Sequence, residues 1–286
     1  MDVTGGIRST WDYKRIVEFE IRYPTFRKNR IDYLANISYT FRPGLLTYAK
    51  ISTGYQSGGV TNGVAYDPET VTAYELGLKG DFLDRRLRFN AAAFYTDYKD
   101  LQFATFDAVD GSRTRNAGRA RIWGLEAETT VIPVNGVTLS GNIGYTNFKY
   151  RELDPRVGIV GRYFPVNRPR LTGSAAFNYT MPAFAWGTVS FDMDAQYRGS
   201  QNLVARHIAN DPAVDHVLFN NAQWLLNLRA TIADIPLGHG TTAKVSAWAR
   251  NLANDQTIVN ALDLSSVVVG AYQQPRTYGV DLELKF

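Results

Sequence analysis

The chain has 286 residues, with 31 Lys+Arg against 27 Asp+Glu, 3 His and no Cys; 45% of residues are apolar and 20% charged. Its 17 Tyr, 15 Phe and 5 Trp make it too apolar for a disordered chain. The lack of Cys excludes a disulfide scaffold, a thiolate metal site and a Cys nucleophile, and the net charge of +4 is too scattered for a nucleic-acid footprint.

The opening residues, Met1-Asp2-Val3-Thr4-Gly5-Gly6, have no basic n-region and no apolar h-region, so no signal peptide is expected there. The sequence reads as one whose signal has been removed or that starts inside a longer protein. Strands are predicted at 2–13, 31–41, 45–55, 70–82, 87–98 and 118–131, then at 137–150, 168–181, 187–200, 221–233, 240–251 and 273–286. The warrant is a period of two. Tyr33, Ala35, Ile37, Tyr39 and Phe41 alternate with Asp32, Asn36, Ser38 and Thr40. Leu87, Phe89, Ala91, Ala93 and Tyr95 face away from Arg88 and Asn90, and Trp123, Leu125, Ala127 and Val131 face away from Glu126 and Glu128. Val189, Phe191, Met193, Ala195 and Tyr197 interleave with Ser190, Asp192, Asp194 and Gln196, and Trp224, Leu226, Leu228 and Ile232 with Asn227, Arg229 and Thr231. Successive side chains of a strand point to opposite faces, so each segment has one apolar and one polar face.

The connections alternate in length. Short ones fall at 42–44, 83–86, 132–136, 182–186 and 234–239; long ones at 14–30, 56–69, 99–117, 151–167, 201–220 and 252–272. Short turns at one end and long loops at the other mark an all-β, antiparallel transmembrane barrel of about 12 strands. Each strand is long enough to cross a bilayer at a tilt, which takes about 9–11 residues. No helical span competes: the charge-free window 171–191 contains Thr172, Ser174, Asn178, Thr180, Pro182 and Gly187. A soluble β-sandwich also alternates. Against it stand the strand lengths, the aromatics near strand ends and the full charges on the polar faces.

Five segments resemble TonB-dependent outer-membrane receptors. Tyr48-Ala49-Lys50-Ile51-Ser52-Thr53-Gly54-Tyr55-Gln56-Ser57-Gly58-Gly59 is similar to a barrel segment of that family. So are Pro68-Glu69-Thr70 with Tyr74-Glu75-Leu76-Gly77-Leu78-Lys79, and Asn116-Ala117-Gly118-Arg119-Ala120 leading to Trp123-Gly124-Leu125-Glu126. Arg250-Asn251-Leu252 with Asp255, and Pro275-Arg276-Thr277-Tyr278-Gly279 running to Phe286, complete the set in the family's order. The resemblance implies a 22-stranded barrel of the Gram-negative outer membrane, closed by an N-terminal plug that contacts the TonB complex. It implies import of a scarce nutrient such as a ferric siderophore. The sequence holds about twelve of those strands and no plug segment, so 1–286 reads as the C-terminal portion of such a barrel. Without the plug, energy-coupled uptake is not expected of these residues alone.

The resemblance also implies that Phe286, with Tyr278, Val280, Leu282 and Leu284 before it, is read by the barrel-assembly machinery. Ligand contacts are expected in the long loops. Arg162 and Tyr163, beside Arg151, Arg156 and Phe164, suit an anionic aromatic chelate or lipopolysaccharide. Arg206 and His207, near Asp211, Asp215 and His216, suit a chelate or an ordinary solvated loop. Neither a resident cofactor nor a metal centre is expected. Two rivals remain. One is a passive porin-like channel with selectivity set by Arg88, Glu126, Asp192 and Arg229. The other is an outer-membrane hydrolase using Glu126/Glu128 or Asp192/Asp194, pairs about 6.5–7 Å apart. A wet lumen does not desolvate an acid, and His207, His216 and His239 all fall in connections, so no catalytic residue is expected.

Overall fold

In the computed structural model, described residues are 1–15, 17–18, 20–23, 25–107, 111–116, 118–153, 166–204, 218–263 and 267–286. Twelve long strands carry the fold: β1 (Asp2–Lys14), β2 (Phe26–Arg42), β3 (Leu45–Gln56), β4 (Glu69–Phe82), β5 (Leu87–Lys99) and β6 (Gly118–Val131), followed by β7 (Val137–Leu153), β8 (Leu171–Thr180), β9 (Thr188–Arg198), β10 (Gln223–Gly238), β11 (Thr241–Arg250) and β12 (Thr277–Lys285). They form one 12-stranded sheet in sequence order, beginning with β1 and ending with β12. All twelve predicted strands are present. No helix among the described residues is long and apolar enough to cross a membrane.

The structure departs from expectation at three places. β2 starts at Phe26, five residues before the predicted start at 31, and pairs with β1 through Lys14–Phe26, Tyr13–Arg27 and Asp12–Lys28. This stretch is charged on both faces because it extends past the apolar band into water. β10 runs on through Asp234 to Gly238, where a turn was expected. Register shifts at Ile232/Ile235 and Pro236/Gly238 accommodate it, with Asp234 at φ 55°. A bulge is where a strand tolerates proline. The long connections also contain small two-stranded hairpins, including Gly59–Thr61 with Val64–Tyr66, Gln102–Asp107 with Gly111–Asn116, and Ile258–Asp263 with Val268–Tyr272.

The chain packs as two compact units. One comprises Met1–Leu78, Ala92–Leu125 and Thr146–Tyr163; the other comprises Lys79–Ala91, Glu126–Tyr145 and Phe164–Phe286. In the first, the β1–β2 register sets Val3 against Ile37 and Ile7 against Tyr33 on one face, with Arg8 against Asp32 and Thr4 against Asn36 on the other. In the second, the apolar face reads Leu139–Phe177–Met193–Leu228 across β7 to β10, and Val245–Leu282 across β11 and β12. The opposite face reads Asn178–Asp192–Arg229–Trp248 across β8 to β11. A one-residue slip of a strand would carry its apolar side chains onto the polar face, so the separation of the two faces specifies the register.

The distribution of burial is inverted relative to a water-soluble protein. Among the described residues, the buried apolar side chains are few, and half of them are alanines: Ala120, Leu203, Leu218, Ala243, Ile258 and Ala261. The large ones on the strands, including Trp11, Leu76, Ile143, Trp224, Val280 and Leu282, are exposed. Among the described residues, the apolar faces of these strands are not covered by a dry interior. They meet solvent as they stand, and hydrocarbon is the solvent that suits them.

Candidate functional site

The polar face of the second unit is lined by hydrogen-bonded side chains. Asn178 donates to Asp192, Asn227 donates to Asp194 at 2.8 Å, and Gln196 Nε2 donates to the same carboxylate at 3.4 Å. Further along, Arg229 Nη1 and Trp248 Nε1 both donate to Asp281, each at 3.1 Å, while the Arg250 guanidinium lies 5.1 Å from the Trp248 ring centroid. Lys244 pairs with Glu283 at 3.2 Å. In the first unit the wall repeats the chemistry. Asp32, only 5% exposed, sits between Arg8 at 3.4 Å and Arg30 at 3.3 Å. Tyr48 Oη and Lys50 Nζ grip the two oxygens of Glu75 at 2.6 and 2.7 Å. Such a surface is suited to water and offers donors and acceptors to a polar solute.

The same geometry weakens the hydrolase reading. Glu126 and Glu128 are exposed, and Asn90 donates to Glu128 at 2.5 Å. Asp192 and Asp194 each accept from a neighbouring side-chain amide. A general acid needs a desolvated carboxyl, and these carboxylates are exposed or already engaged by neighbouring side-chain amides. Among the described residues, no three His, Asp or Glu side chains gather to hold a metal ion.

At the end of the strands bearing the long connections, the second unit is knit by buried polar groups. Asn251, 4% exposed, donates through Nδ2 to the carbonyls of Asp255 (2.9 Å) and Gln274 (2.8 Å). Its Oδ1 accepts the Asp255 amide at 2.9 Å, and its own amide donates to Asn227 at 3.0 Å. Asp255 returns the clasp: Oδ1 accepts the Thr257 amide at 2.8 Å and Oδ2 the Trp224 amide at 3.2 Å. Burial pushes the Asp255 carboxyl up, but hydrogen bonds from the Thr257 hydroxyl and amide, the Trp224 amide and Gln223 outweigh it and hold the group below the usual range. The Arg-Asn-Leu-x-x-Asp pattern thus ties β10, β11 and the approach to β12 together. Beside it, Asn220, 2% exposed, donates to the Ile258 carbonyl at 3.2 Å and accepts the Gln201 amide at 3.0 Å, over a small core of Leu203, Ile258 and Ala261. Sequence reasoning singles out none of Gln201, Asn220 and Gln223.

The expected loop contacts Arg162, Tyr163, Arg206 and His207, with Arg156, Phe164, Asp211, Asp215 and His216, lie outside the described residues. His239 occupies the turn between β10 and β11. The terminal-strand residues fall as the alternation requires. Tyr278, Val280, Leu282 and Leu284 share one face of β12 and are exposed, as is Phe286, at 93%, immediately after the strand. From Tyr278 to Phe286 is eight residue steps, about 26 Å along a strand or roughly 20 Å at barrel tilt, close to the ~25 Å apolar band of such proteins.

An exposed apolar sheet face backed by a polar wall, with long connections knit at one end, defines a membrane β-barrel wall. Residues 2–252 match the profile of the family described as TonB dependent receptor-like, beta-barrel, and the chain belongs to that family. The metal-pseudopaline receptor CntO of Pseudomonas aeruginosa is 33% identical over 140 residues, 48% of this chain and 19% of that protein. The ferric-pyoverdine M114 receptor PbuA of Pseudomonas sp. (strain M114) is 28% identical over 121 residues, 41% of this chain and 15% of that protein. Among solved structures, the ferric citrate transporter FecA superposes with a TM-score of 0.75 at 16% identity, over 99% of this chain and 42% of that one. BauA, the ferric preacinetobactin receptor of Acinetobacter baumannii, gives 0.73 at 18% identity, over 99% and 40%. The chain thus spans about two fifths of those structures, and its alignments cover less than a fifth of the curated relatives.

Proposed function

We propose that the chain forms the C-terminal portion of the barrel of a Gram-negative outer-membrane receptor, one that imports a scarce metal as an organic chelate of the ferric-siderophore class. The observation that carries this is the two-faced sheet, with exposed apolar residues on one side and the Asp192–Arg229–Asp281–Trp248 wall on the other. The names of similar proteins, which are receptors or transporters of metal chelates, support the choice of cargo. In this reading the long connections capture the chelate, with Arg162, Tyr163, Arg206 and His207 as contacts, and passage through the lumen is gated by a plug and driven by the TonB complex. Tyr278, Val280, Leu282, Leu284 and Phe286 serve the barrel-assembly machinery. The wall residues orient water and solute and perform no covalent chemistry.

The test uses the gene that encodes the chain, in its own bacterium. Its disruption removes uptake of one iron-loaded siderophore, measured with radioactive iron, and dissipating the proton-motive force removes the same uptake in the parent strain. Uptake that survives both treatments overturns the proposal. A passive channel gives open-channel conductance in planar bilayers, whereas a plugged receptor stays silent.

A further inference from the structure

The outward face of the first unit carries a furrow with a charged head. Its lining includes Ala35 and Ile37 of β2, Ala49 of β3, Tyr74 and Leu76 of β4, and Ala93 and Tyr95 of β5. The cavity measures about 660 Å³. The Tyr74 and Tyr95 rings close its upper part, 6.3 Å between centroids. All of these side chains lie on the apolar side of their strands, so the furrow opens toward hydrocarbon.

The same face turns basic beyond the tyrosines. β5 continues from Tyr95 through Asp97 to Lys99, and β6 approaches Trp123 through Arg119 and Arg121. Arg121 Nε meets Asp97 Oδ1 at 3.3 Å. Because the two strands run antiparallel, that contact sets Lys99 beside Arg119. Arg119 shares Glu152 at 3.6 Å, while Lys99 is exposed and has no carboxylate partner among the described residues. Arg121 and Arg119 thus have Asp97 and Glu152 as carboxylate partners while Lys99 has none among the described residues, and Lys99 and Arg119 are cross-strand neighbours. Like charges in that position repel, and an anion between them relieves the repulsion. From Ala93 to Lys99 is about 20 Å along the strand, which suits an acyl chain lying in the furrow with its headgroup above the tyrosines.

We propose that this surface docks a phosphate-bearing lipid of the surrounding leaflet, its phosphate between Lys99 and Arg119 and an acyl chain over Ala35, Ala49 and Ala93. The chemistry is that of a basic pair above an aromatic row, where interfacial charge and hydrocarbon meet. The proposal rests on the outer-membrane reading. Cell fractionation tests that reading first, because a chain absent from the outer membrane fails there whatever its lipid preference.

The experiment uses the full-length protein extracted from the outer membrane, stripped of lipid in detergent, and titrated with bisphosphorylated lipid A and with its dephosphorylated form. The phosphorylated form binds about tenfold more tightly, and the K99A/R119A double variant binds both forms alike. Filling the furrow with Ala93→Trp weakens both forms equally, while Arg85→Ala, in the turn preceding β5, changes neither. Heat-modifiable migration in gels verifies that each variant is folded. Equal affinity of the parent for the two lipids overturns the proposal. So does displacement of lipid A by millimolar inorganic phosphate, which would make the basic pair a simple anion site.

Discussion

At the scale of single residues, the second unit depends on two close approaches. Gly279 of β12 lies directly across from Trp248 of β11, and a Cβ at 279 would come within 2.6 Å of the indole Cζ2. The ring covers the glycine and donates to Asp281. Gly279→Ala should cost about 1–3 kcal/mol by forcing the indole aside. Gly279→Ala combined with Trp248→Ala should cost less than the sum of the single changes. Urea titration of the barrel refolded in vesicles measures both, and strictly additive costs would show that the contact is immaterial. Asp255 makes the second approach. Its carboxyl is held below the ordinary range, so the stability it contributes is fully present above the unfolded value of about 3.9 and is lost as pH falls through the lower folded value. Trypsin cleavage beside Arg250 and Arg276 after brief exposure to graded pH should therefore rise on acidification in the parent. In Asp255→Asn it should be high already at neutral pH, because one amide oxygen cannot serve both the Thr257 and Trp224 amides.

At the scale of elements, the last strand concentrates the outward signal. Tyr278, Val280, Leu282, Leu284 and Phe286 have the same alternation as the other strands, but Phe286 stands at the end and is the most exposed of them. Deleting Phe286 should lower the amount of protein inserted in the outer membrane several-fold while leaving the stability of the inserted fraction within about 0.5 kcal/mol, as expected for a surface change. Unchanged insertion would assign the residue to lipid contact alone. The strands were legible in the sequence because each residue between lipid and water is constrained in turn, which leaves a period of two over nine or more positions. The ends were less legible. Residues 26–30 read as loop by composition, since a strand rising beyond the bilayer no longer needs an apolar face. Residues 234–239 read as a short connection, where register shifts keep β10 running to Gly238. Among the connections, Asn62-Gly63 is a local hairpin signal. Both residues have positive φ, 45° and 75°, and a side chain at 63 would also meet Tyr23. The site was least legible. Gln201, Asn220 and Gln223 find partners 19 to 50 residues away, and no local pattern announces such contacts.

At the scale of the whole molecule, the two faces of the sheet demand two different solvents, and tryptophan reports which face meets which. Trp224 shares the apolar face of β10 with Leu226 and Leu228, and its ring lies 4.8 Å from that of Tyr197. Trp248, on the neighbouring strand, points to the polar face and hydrogen-bonds Asp281. Trp11 and Trp123 lie on the apolar faces of β1 and β6 and are exposed. Variants that retain one tryptophan each, refolded into vesicles of brominated lipid, should lose most fluorescence at 11, 123 and 224. The variant retaining Trp248 should respond weakly to bromine and more strongly to aqueous iodide. A soluble sandwich gives little quenching of either kind at 224, since its apolar face would be packed inside and reached by neither quencher. Strong bromine quenching at 248 would mean that the polar wall faces lipid, a placement the Arg229–Asp281 pair and the buried Ser246–Thr231 contact make untenable for a folded barrel.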